Sequence, residues 1–258
     1  MAEPIRDAKR SVAFILDNPI LLVGIVLSLM VYMVANVLSA IFGIIPVIGN
    51  LISILVTGLT LPLLTNGVYG AVKYDEPVTL SNYVENIQEN YLSVSGVYFV
   101  TTGIVIIGML VAIIPTLLVY GFSGGLVSNL SSNVLFILYM LLLGVGIIIF
   151  QFYIQFGFTA AYFDNMGPID ALKKSMELVG ENVWDVFWYS SILFVAIIGV
   201  AFGGFGIAFG LMALDGAMKL VGAVLAMGIF LVFYPVMALF SYTYMATFYQ
   251  SLTRNYAE

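Results

Sequence analysis

The chain has 258 residues, of which 62% are hydrophobic and only 9% are charged, with a net charge of −6 and a mean hydropathy of +1.10. Soluble domains carry about 25% charged residues, so the composition excludes an ordinary soluble protein and indicates an integral membrane protein. The sequence has no Cys and no His, which excludes zinc fingers, thiol nucleophiles and histidine acid–base catalysis, and its negative charge argues against a nucleic-acid partner.

A polar segment occurs three times in the sequence, at residues 4–18, 77–90 and 168–182. Each copy starts with Pro, ends with an acidic residue followed by Asn, and precedes a long apolar stretch. Pro suits the first turn of a helix, and the apolar residues of the first and third copies recur at helical spacing. The pattern predicts three amphipathic helices at the inner surface of the membrane.

Two apolar stretches follow each polar segment, and each stretch is long enough to cross a bilayer. The six stretches cover residues 19–42, 50–72, 92–120, 134–163, 183–214 and 219–249. Because each unit has an even number of spans, successive units have the same orientation.

The sequence therefore predicts an all-α integral membrane protein with six transmembrane helices in three parallel units. Each unit is an amphipathic cytoplasmic-face helix followed by a transmembrane hairpin. The units cover about 4–72, 77–163 and 168–250 within a single polytopic membrane domain, 1–258.

The basic residues predict the orientation of the chain. Seven of the eight Lys and Arg residues fall on the side of the chain termini, and only Lys219 falls on the other side. Positive residues are retained in the cytoplasm. We therefore expect a multi-pass protein of the plasma membrane with cytoplasmic N- and C-termini.

Asn18, Asn90 and Asn182 each stand where a predicted membrane span begins. An Asn side chain at such a position accepts hydrogen bonds from the free backbone N–H groups of the first helical turn. Helix capping is the main prediction for all three residues, and ligand binding is the alternative.

Uncharged polar residues form stripes along three predicted spans. Asn36 lies in the first span, Thr57 and Thr60 in the second, and Gln151 and Gln155 in the fourth. Residues spaced by three or four share one face of a helix. One hypothesis is a polar cavity between the helices. The other is hydrogen bonding that only holds the helices together.

Two short motifs indicate contacts or modification outside the bundle. Gly199, Gly203, Gly206 and Gly210 have the spacing that lets helices approach closely, which suits self-association or contact with other membrane proteins. Asn129 begins the sequence Asn-Leu-Ser in a predicted outer loop and matches the acceptor pattern for N-glycosylation.

The sequence lacks the patterns that usually carry catalysis. It contains no phosphate-binding glycine loop followed by Lys, no pair of carboxylates within a span and no cluster of metal ligands. We therefore predict no enzymatic activity, no cofactor, and no catalytic, cofactor-binding or metal-binding residue. Membrane lipids are the expected partners.

The run from Pro168 to Trp184 reads Pro-Ile-Asp-Ala-Leu-Lys-Lys-Ser-Met-Glu-Leu-Val-Gly-Glu-Asn-Val-Trp. It resembles the segment that precedes a membrane hairpin in a broad group of prokaryotic multi-pass membrane proteins, which includes archaeal families of unassigned function. It is also similar to the membrane domain attached to some glycerophosphodiester phosphodiesterases. The resemblance covers residues 163–188 and implies a helical membrane domain of about six spans. The hydrolase activity of those enzymes resides in a separate soluble domain that we do not expect in this chain, so no catalytic residue is carried over.

The expected function is non-enzymatic. The leading hypothesis is a membrane scaffold or complex subunit that contacts lipid through its inner-face helices. A small-solute permease that uses the polar stripes is the alternative. An intramembrane enzyme is least favoured, because plausible acid–base groups are missing from the spans.

Overall fold

The computed structural model describes residues 3–41, 46–75, 78–122, 130–200, 202, 206–213 and 217–254. Throughout these ranges all regular secondary structure is helical, as predicted. The helices are α1 (Pro4–Asp17), α2 (Ile20–Ile41), α3 (Pro46–Tyr74), α4 (Leu80–Gln88), α5 (Tyr91–Phe122), α6 (Leu130–Ile154), α7 (Gly157–Phe163), α8 (Pro168–Glu181), α9 (Val183–Val200), α10 (Gly206–Met212) and α11 (Ala217–Arg254).

The long helices follow the predicted spans, with two differences. α2, α3, α5 and α11 each cover one predicted span. The fourth span is interrupted at Gln155 and Phe156, where α6 ends and α7 begins. The described part of the fifth contains two helices, α9 and α10.

Several helical stretches are long and apolar enough to cross a membrane. Within the described residues there are three, Gly49–Tyr74, Tyr91–Val111 and Ile137–Phe163, and up to five if each of two bent helix pairs forms one span. By length and composition, the chain is a helical membrane protein. The number of six spans and the threefold repeat stay predictions.

Two short helices lie nearly perpendicular to the long helices that follow them. The angle between α1 and α2 is 89°, and the angle between α8 and α9 is 101°. A helix at a right angle to a membrane span lies along the membrane surface, as amphipathic helices do. Asn18 and Asn182 mark these two corners.

α1 exposes three of its large apolar residues and buries two of its polar ones. Ile5, Val12 and Leu16 are 65%, 46% and 75% exposed. The face toward α11 instead buries Asp7 and Ser11. A surface helix of a soluble protein shows the reverse arrangement. The exposed face of α1 therefore suits contact with lipid.

The polar residues of α1 are buried because α11 supplies their partners. The Oγ of Ser251 donates a hydrogen bond to Oδ2 of Asp7 at 2.7 Å. The Oγ of Ser11 lies 3.3 Å from Oγ1 of Thr247 and 2.7 Å from the carbonyl oxygen of Asp7. Buried polar groups are tolerated when they are paired in this way. These bonds join the two ends of the chain.

α8 differs from the expectation that its whole apolar face lies in the membrane surface. Ile169 and Met176 are exposed, but Leu172 and Val179 on the same predicted face are buried. The reason is packing on protein, since α8 contacts α5, α6 and α7. A Cβ at Gly157 of α7 would lie 2.9 Å from Cδ2 of Leu172, so the two helices are in close contact.

Each of the three short helices α1, α4 and α8 packs on at least one long helix. α4 packs on α3, and α8 packs on α6 and its continuation α7. α1 packs on α11, which closes the series into a ring. The residue seven positions before the terminal Asn of each polar segment is buried, namely Ser11, Tyr83 and Ser175. Corresponding positions of the three segments thus face the protein.

Ser175 supports the interruption between α6 and α7. Its Oγ accepts a hydrogen bond from the backbone N–H of Phe156 (3.1 Å) and donates one to the carbonyl of Tyr153 (2.9 Å). Backbone groups at helix ends lack partners within their own helix, and leaving them buried and unpaired is costly. The hydroxyl of Ser175 on α8 therefore supplies a hydrogen-bond partner to the backbone groups at the break.

We expect Ser175→Ala to destabilise the protein by about 1–3 kcal/mol, because it leaves buried backbone groups without their partner. Thermal unfolding of the detergent-solubilised protein measures the effect. Ser191→Ala is the matched control, since Ser191 Oγ donates to the carbonyl of Phe187 within its own helix. Equal losses in the two variants would contradict the role of Ser175.

Glycines let α4 approach α2 and α3 closely. A Cβ at Gly24 or Gly67 would lie 2.7 or 2.4 Å from the ring of Tyr83, and a Cβ at Gly70 would lie 2.2 Å from Cγ of Asn86. These distances are far shorter than van der Waals contact between carbon atoms. The backbones of these glycines therefore form the groove in which α4 lies.

Buried side chains concentrate where α1, α4 and α8 pack on the long helices, and we call this region the polar end of the bundle. One cluster is rich in aromatic residues, including Tyr69, Phe156, Tyr162, Tyr189, Tyr244, Phe248 and Tyr249. The second lies around Leu21, Ile25, Val68, Tyr83 and Leu239. Farther along α5 and α6, large apolar residues are exposed, as on helices that face lipid.

Candidate functional site at the polar end

Glu89 is the centre of a hydrogen-bond network at the polar end. The Nζ of Lys73 lies 2.9 Å from its Oε1, and the OH of Tyr74 lies 2.8 Å from both carboxylate oxygens. The OH of Tyr162 donates to Oε2 at 3.0 Å. Lys73 and Tyr74 belong to α3, Tyr162 belongs to α7, and Glu89 follows α4. The network thus joins α7 to α3 and the end of α4, and Tyr162 lies 73 residues after Glu89 in sequence.

Lys73 is enclosed by aromatic rings as well as by the carboxylate. Its Nζ lies 5.2 Å from the ring centre of Tyr162 and 5.3 Å from that of Tyr74, within the range of cation–π attraction. The side chains of Lys73 and Glu89 are only 19% and 28% exposed. Their attraction is therefore screened less by water than that of an ion pair on the open surface.

The network favours the ionised form of Glu89. Burial alone would raise the pKa of this carboxyl group, but the hydrogen bonds from Lys73, Tyr74 and Tyr162 outweigh burial and hold the pKa below its ordinary value of 4.5. A carboxylate stabilised by several donors is a weak proton acceptor. Its surroundings therefore suit a structural role better than general-base catalysis.

Two Asn side chains bind the backbone around this network. The Nδ2 of the fully buried Asn66 donates to the carbonyls of Glu89 (2.8 Å) and Ile87 (3.2 Å). The Nδ2 of Asn90 donates to the carbonyl of Tyr162 at 3.0 Å. The last carbonyls of a helix lack intrahelical partners, so these bonds stabilise the ends of α4 and α7.

A cavity of about 640 Å³ opens beside the network. α4 contributes Asn82, Glu85, Asn86 and Gln88 to its walls, and α3 contributes Tyr74. In the part of the chain that the structure describes, no three His, Cys, Asp or Glu residues are close enough to hold a metal ion. The cavity therefore offers amide groups and negative charge to a polar partner.

The three Asn residues predicted as caps lie between a short helix and a long one. The backbone carbonyl of each accepts a hydrogen bond of 3.0 Å from the first turn of the following helix. The side-chain amides of Asn18 and Asn182 bond instead to the preceding short helix. The Nδ2 of Asn18 donates to the carbonyl of Phe14 (3.0 Å), and that of Asn182 donates to the carbonyl of Leu178 (2.9 Å). Asn90 has a positive φ of 53°, which Asn tolerates. Capping of the following helices by the side-chain oxygens stays a prediction.

The threonines of the predicted polar cavity lie on α3. The Oγ1 of Thr60 is buried and donates to the carbonyl of Val56 in its own helix at 2.7 Å. Thr57 is half-buried. Asn36 belongs to the same predicted cavity, but its side chain lies outside the described residues. Thr60 therefore uses its hydroxyl hydrogen within its helix, as Ser and Thr often do in apolar surroundings.

The two glutamines of the predicted cavity differ from each other. Gln151 is exposed. The Oε1 of Gln155 accepts a hydrogen bond from Oγ of Ser190 on α9 at 3.2 Å, so this residue joins two helices. Among the described residues its Nε2 is buried without a hydrogen-bond partner. A nitrogen of this kind retains the capacity to bind a water molecule or a polar ligand.

The glycines of the predicted packing motif face open space in the described part of the chain. A Cβ at Gly199, Gly206 or Gly210 would meet no atom there within 4 Å. Gly203 and Asn129 lie outside the described residues. Self-association through these glycines and glycosylation of Asn129 stay predictions.

The residues that hold α4 in place were not among those predicted from the sequence. Gly67 and Gly70 are three residues apart next to Asn66, a polar residue inside an apolar stretch, and this grouping was a signal for close packing. No comparable signal marked the network of Glu89. Its partner Tyr162 lies 73 residues away in sequence, and only the tertiary fold brings the two together.

One family model covers nearly the whole chain. It is described as Domain of unknown function (DUF7847), and it matches residues 5–252. The chain belongs to this family. The DUF7847 match runs from α1 to α11 and therefore includes the entire polar end. No curated protein and no solved structure matches the chain.

Proposed function

We propose that the protein is a non-enzymatic membrane scaffold or complex subunit whose polar end rests on the inner surface of the plasma membrane. The observation that carries the proposal is the exposure of three large apolar residues on one face of α1, while two polar residues of the same helix are buried. Ile5, Val12 and Leu16 point away from the protein, while Asp7 and Ser11 pack on α11. Lipid is the environment that stabilises such an arrangement.

Exposed aromatic and apolar residues near the polar end support the same placement. Trp184 and Trp188, at the start of α9, are 75% and 59% exposed, and Leu92, at the start of α5, is 80% exposed. Tryptophan is enriched at the boundary between the membrane and water. The positions of these residues are therefore typical of the membrane–water boundary, where spans enter the bilayer.

We further propose six spans in three units related by rotation about the membrane normal, with the polar end in the cytoplasm. The ring of contacts, in which each short helix packs on a long helix of another predicted unit, and the equivalent burial of Ser11, Tyr83 and Ser175 support the threefold arrangement. The orientation rests on the seven basic residues predicted at this end.

The permease alternative has less support. Thr60 bonds its own helix and Gln151 is exposed, so these two residues do not favour a common polar path. The buried Nε2 of Gln155 is the observation that still favours it. The similarity of residues 163–188 to the membrane domain of some glycerophosphodiester phosphodiesterases stays a prediction, and we propose no hydrolase activity from it.

Two neighbouring positions of α1 test the proposal, because the chain has no Cys and each introduced cysteine is unique. A fluorescent label on Leu16→Cys is expected to be quenched by nitroxide lipids and shielded from iodide, because Leu16 lies on the exposed apolar face. A label on Asp17→Cys is expected to show the reverse. In whole cells, a membrane-impermeant thiol reagent is expected to reach Asp17→Cys only after permeabilisation.

Two results would contradict the proposal. Equal quenching by iodide at both positions would show that the apolar face of α1 lies in water. Reaction of Asp17→Cys in intact cells would place the polar end outside the cell.

A further inference from the structure

A second cavity, of about 330 Å³, lies between α1 and the end of α11. Its lining residues include Arg6, Arg10 and Arg254 together with Asp7. Three positive charges and one negative charge leave it with a net charge of +2. Three of the eight basic residues of an otherwise acidic chain therefore meet at one place.

The arginines are only weakly neutralised by the part of the chain that the structure describes. Arg6 lies 3.5 Å from the carboxylate of Glu3, and both side chains are more than 60% exposed. Neither Arg10 nor Arg254 forms an ion pair with a described residue. The buried Asp7 accepts its hydrogen bond from Ser251. The cavity thus has donor capacity for an external anion.

The chemistry of the three arginines favours a phosphate. A guanidinium group presents pairs of parallel N–H donors that match two phosphate oxygens at once. Arg6 and Arg10 are four residues apart and share one face of α1, while Arg254 belongs to the last turn of α11. An anion between them would be held by two separate helices.

The surroundings favour a lipid over free phosphate as the source. Under the proposed function α1 lies at the membrane surface, so the cavity opens at the level of the lipid headgroups. The same helix exposes Ile5, Val12 and Leu16 on another face. A lipid satisfies both features, since its phosphate meets the arginines and its acyl chains meet the apolar face, whereas inorganic phosphate satisfies only the first.

We propose that this cavity binds the phosphate of an anionic membrane lipid, held by Arg6, Arg10 and Arg254. The inference rests on the proposed function, because it requires α1 at the membrane surface. Binding bridges α1 and α11 and therefore strengthens the contact that closes the ring.

Titration of the detergent-solubilised full chain with short-chain phosphatidylglycerol tests the proposal, with short-chain phosphatidylcholine and inorganic phosphate as the other two ligands. Phosphatidylglycerol is expected to raise the midpoint of thermal unfolding, and the double variant Arg10→Gln/Arg254→Gln is expected to bind it at least about tenfold more weakly. The control Lys173→Gln/Lys174→Gln removes the same charge from α8 and is expected to keep its affinity within about twofold.

Three results would overturn the proposal: equal weakening in the two double variants, equal binding of phosphatidylcholine, or inorganic phosphate that binds as tightly as the lipid. If circular dichroism shows that Arg10→Gln/Arg254→Gln is unfolded without ligand, Arg254→Lys replaces it. This variant keeps the charge but lacks the paired donors, and a loss of about threefold is expected. The labels at positions 16 and 17 report membrane contact independently, so failure of lipid binding leaves the proposed function testable by itself.

Discussion

Gly67→Ala is expected to lower the free energy of unfolding by about 1–3 kcal/mol, an unusual result for the addition of one methyl group. The new Cβ would lie 2.4 Å from the ring of Tyr83, which is only 2% exposed. The ring has little room to move, because it is buried and also packs closely on Gly24, where a Cβ would lie 2.7 Å from it. α4 would therefore have to shift out of its groove. Chemical or thermal unfolding in detergent measures the loss.

Two further variants separate this collision from a general effect of alanine. Gly103→Ala adds the same methyl group to α5 where no atom lies within 4 Å, so it is expected to be neutral or stabilising by up to about 1 kcal/mol. In a Tyr83→Ala background, Gly67→Ala is expected to cost nothing more, because the ring is gone. A loss from Gly67→Ala that persists in that background would refute the assignment to Tyr83.

Glu89→Gln is expected to destabilise the protein by about 1–3 kcal/mol, because it leaves the half-buried Lys73 without its counter-charge. The amide is similar in shape to the carboxylate, so packing is preserved and the electrostatic contribution is isolated. The matched control is Asp170→Asn. Its partner Lys173 lies 3.6 Å away, but both side chains are more than 70% exposed, so a loss below about 0.5 kcal/mol is expected.

The pH dependence gives the second test of Glu89. Its pKa is lower in the folded protein than the ordinary value of 4.5, so the stability it contributes is complete above pH 4.5 and is lost as the pH falls through the lowered value. The difference in unfolding free energy between the wild type and Glu89→Gln is therefore expected to shrink in acid. A difference that stays constant in acid would assign the effect to packing instead of charge.

The positions of the long helices were largely predictable, because apolar composition determines them locally. α2, α3, α5 and α11 each have at least one end close to the polar or charged residues that bound an apolar stretch. The short helices α1 and α8 were predictable for the same reason, since a Pro starts each one and their apolar residues have helical spacing.

Features that depend on contacts between distant residues were not predictable. The end of α6 at Ile154 has no Pro to mark it, and the hydroxyl that satisfies the break comes from Ser175 on α8. The burial of Leu172 and Val179 likewise depends on the helices beside α8, not on the pattern within it. Periodicity identifies an apolar face, but it does not say whether lipid or protein covers that face.

The contact between α1 and α11 has a consequence for biogenesis. Asp7 and Ser251, which share a hydrogen bond, are separated by 244 residues. At roughly 5–20 residues per second, a ribosome needs about 12 to 50 s to synthesise that length. During this time α1 lacks α11, the helix that buries its polar residues, and its exposed apolar residues suit contact with the bilayer. α1 is thus synthesised long before α11, and the contact between the two helices forms only after α11 has been made.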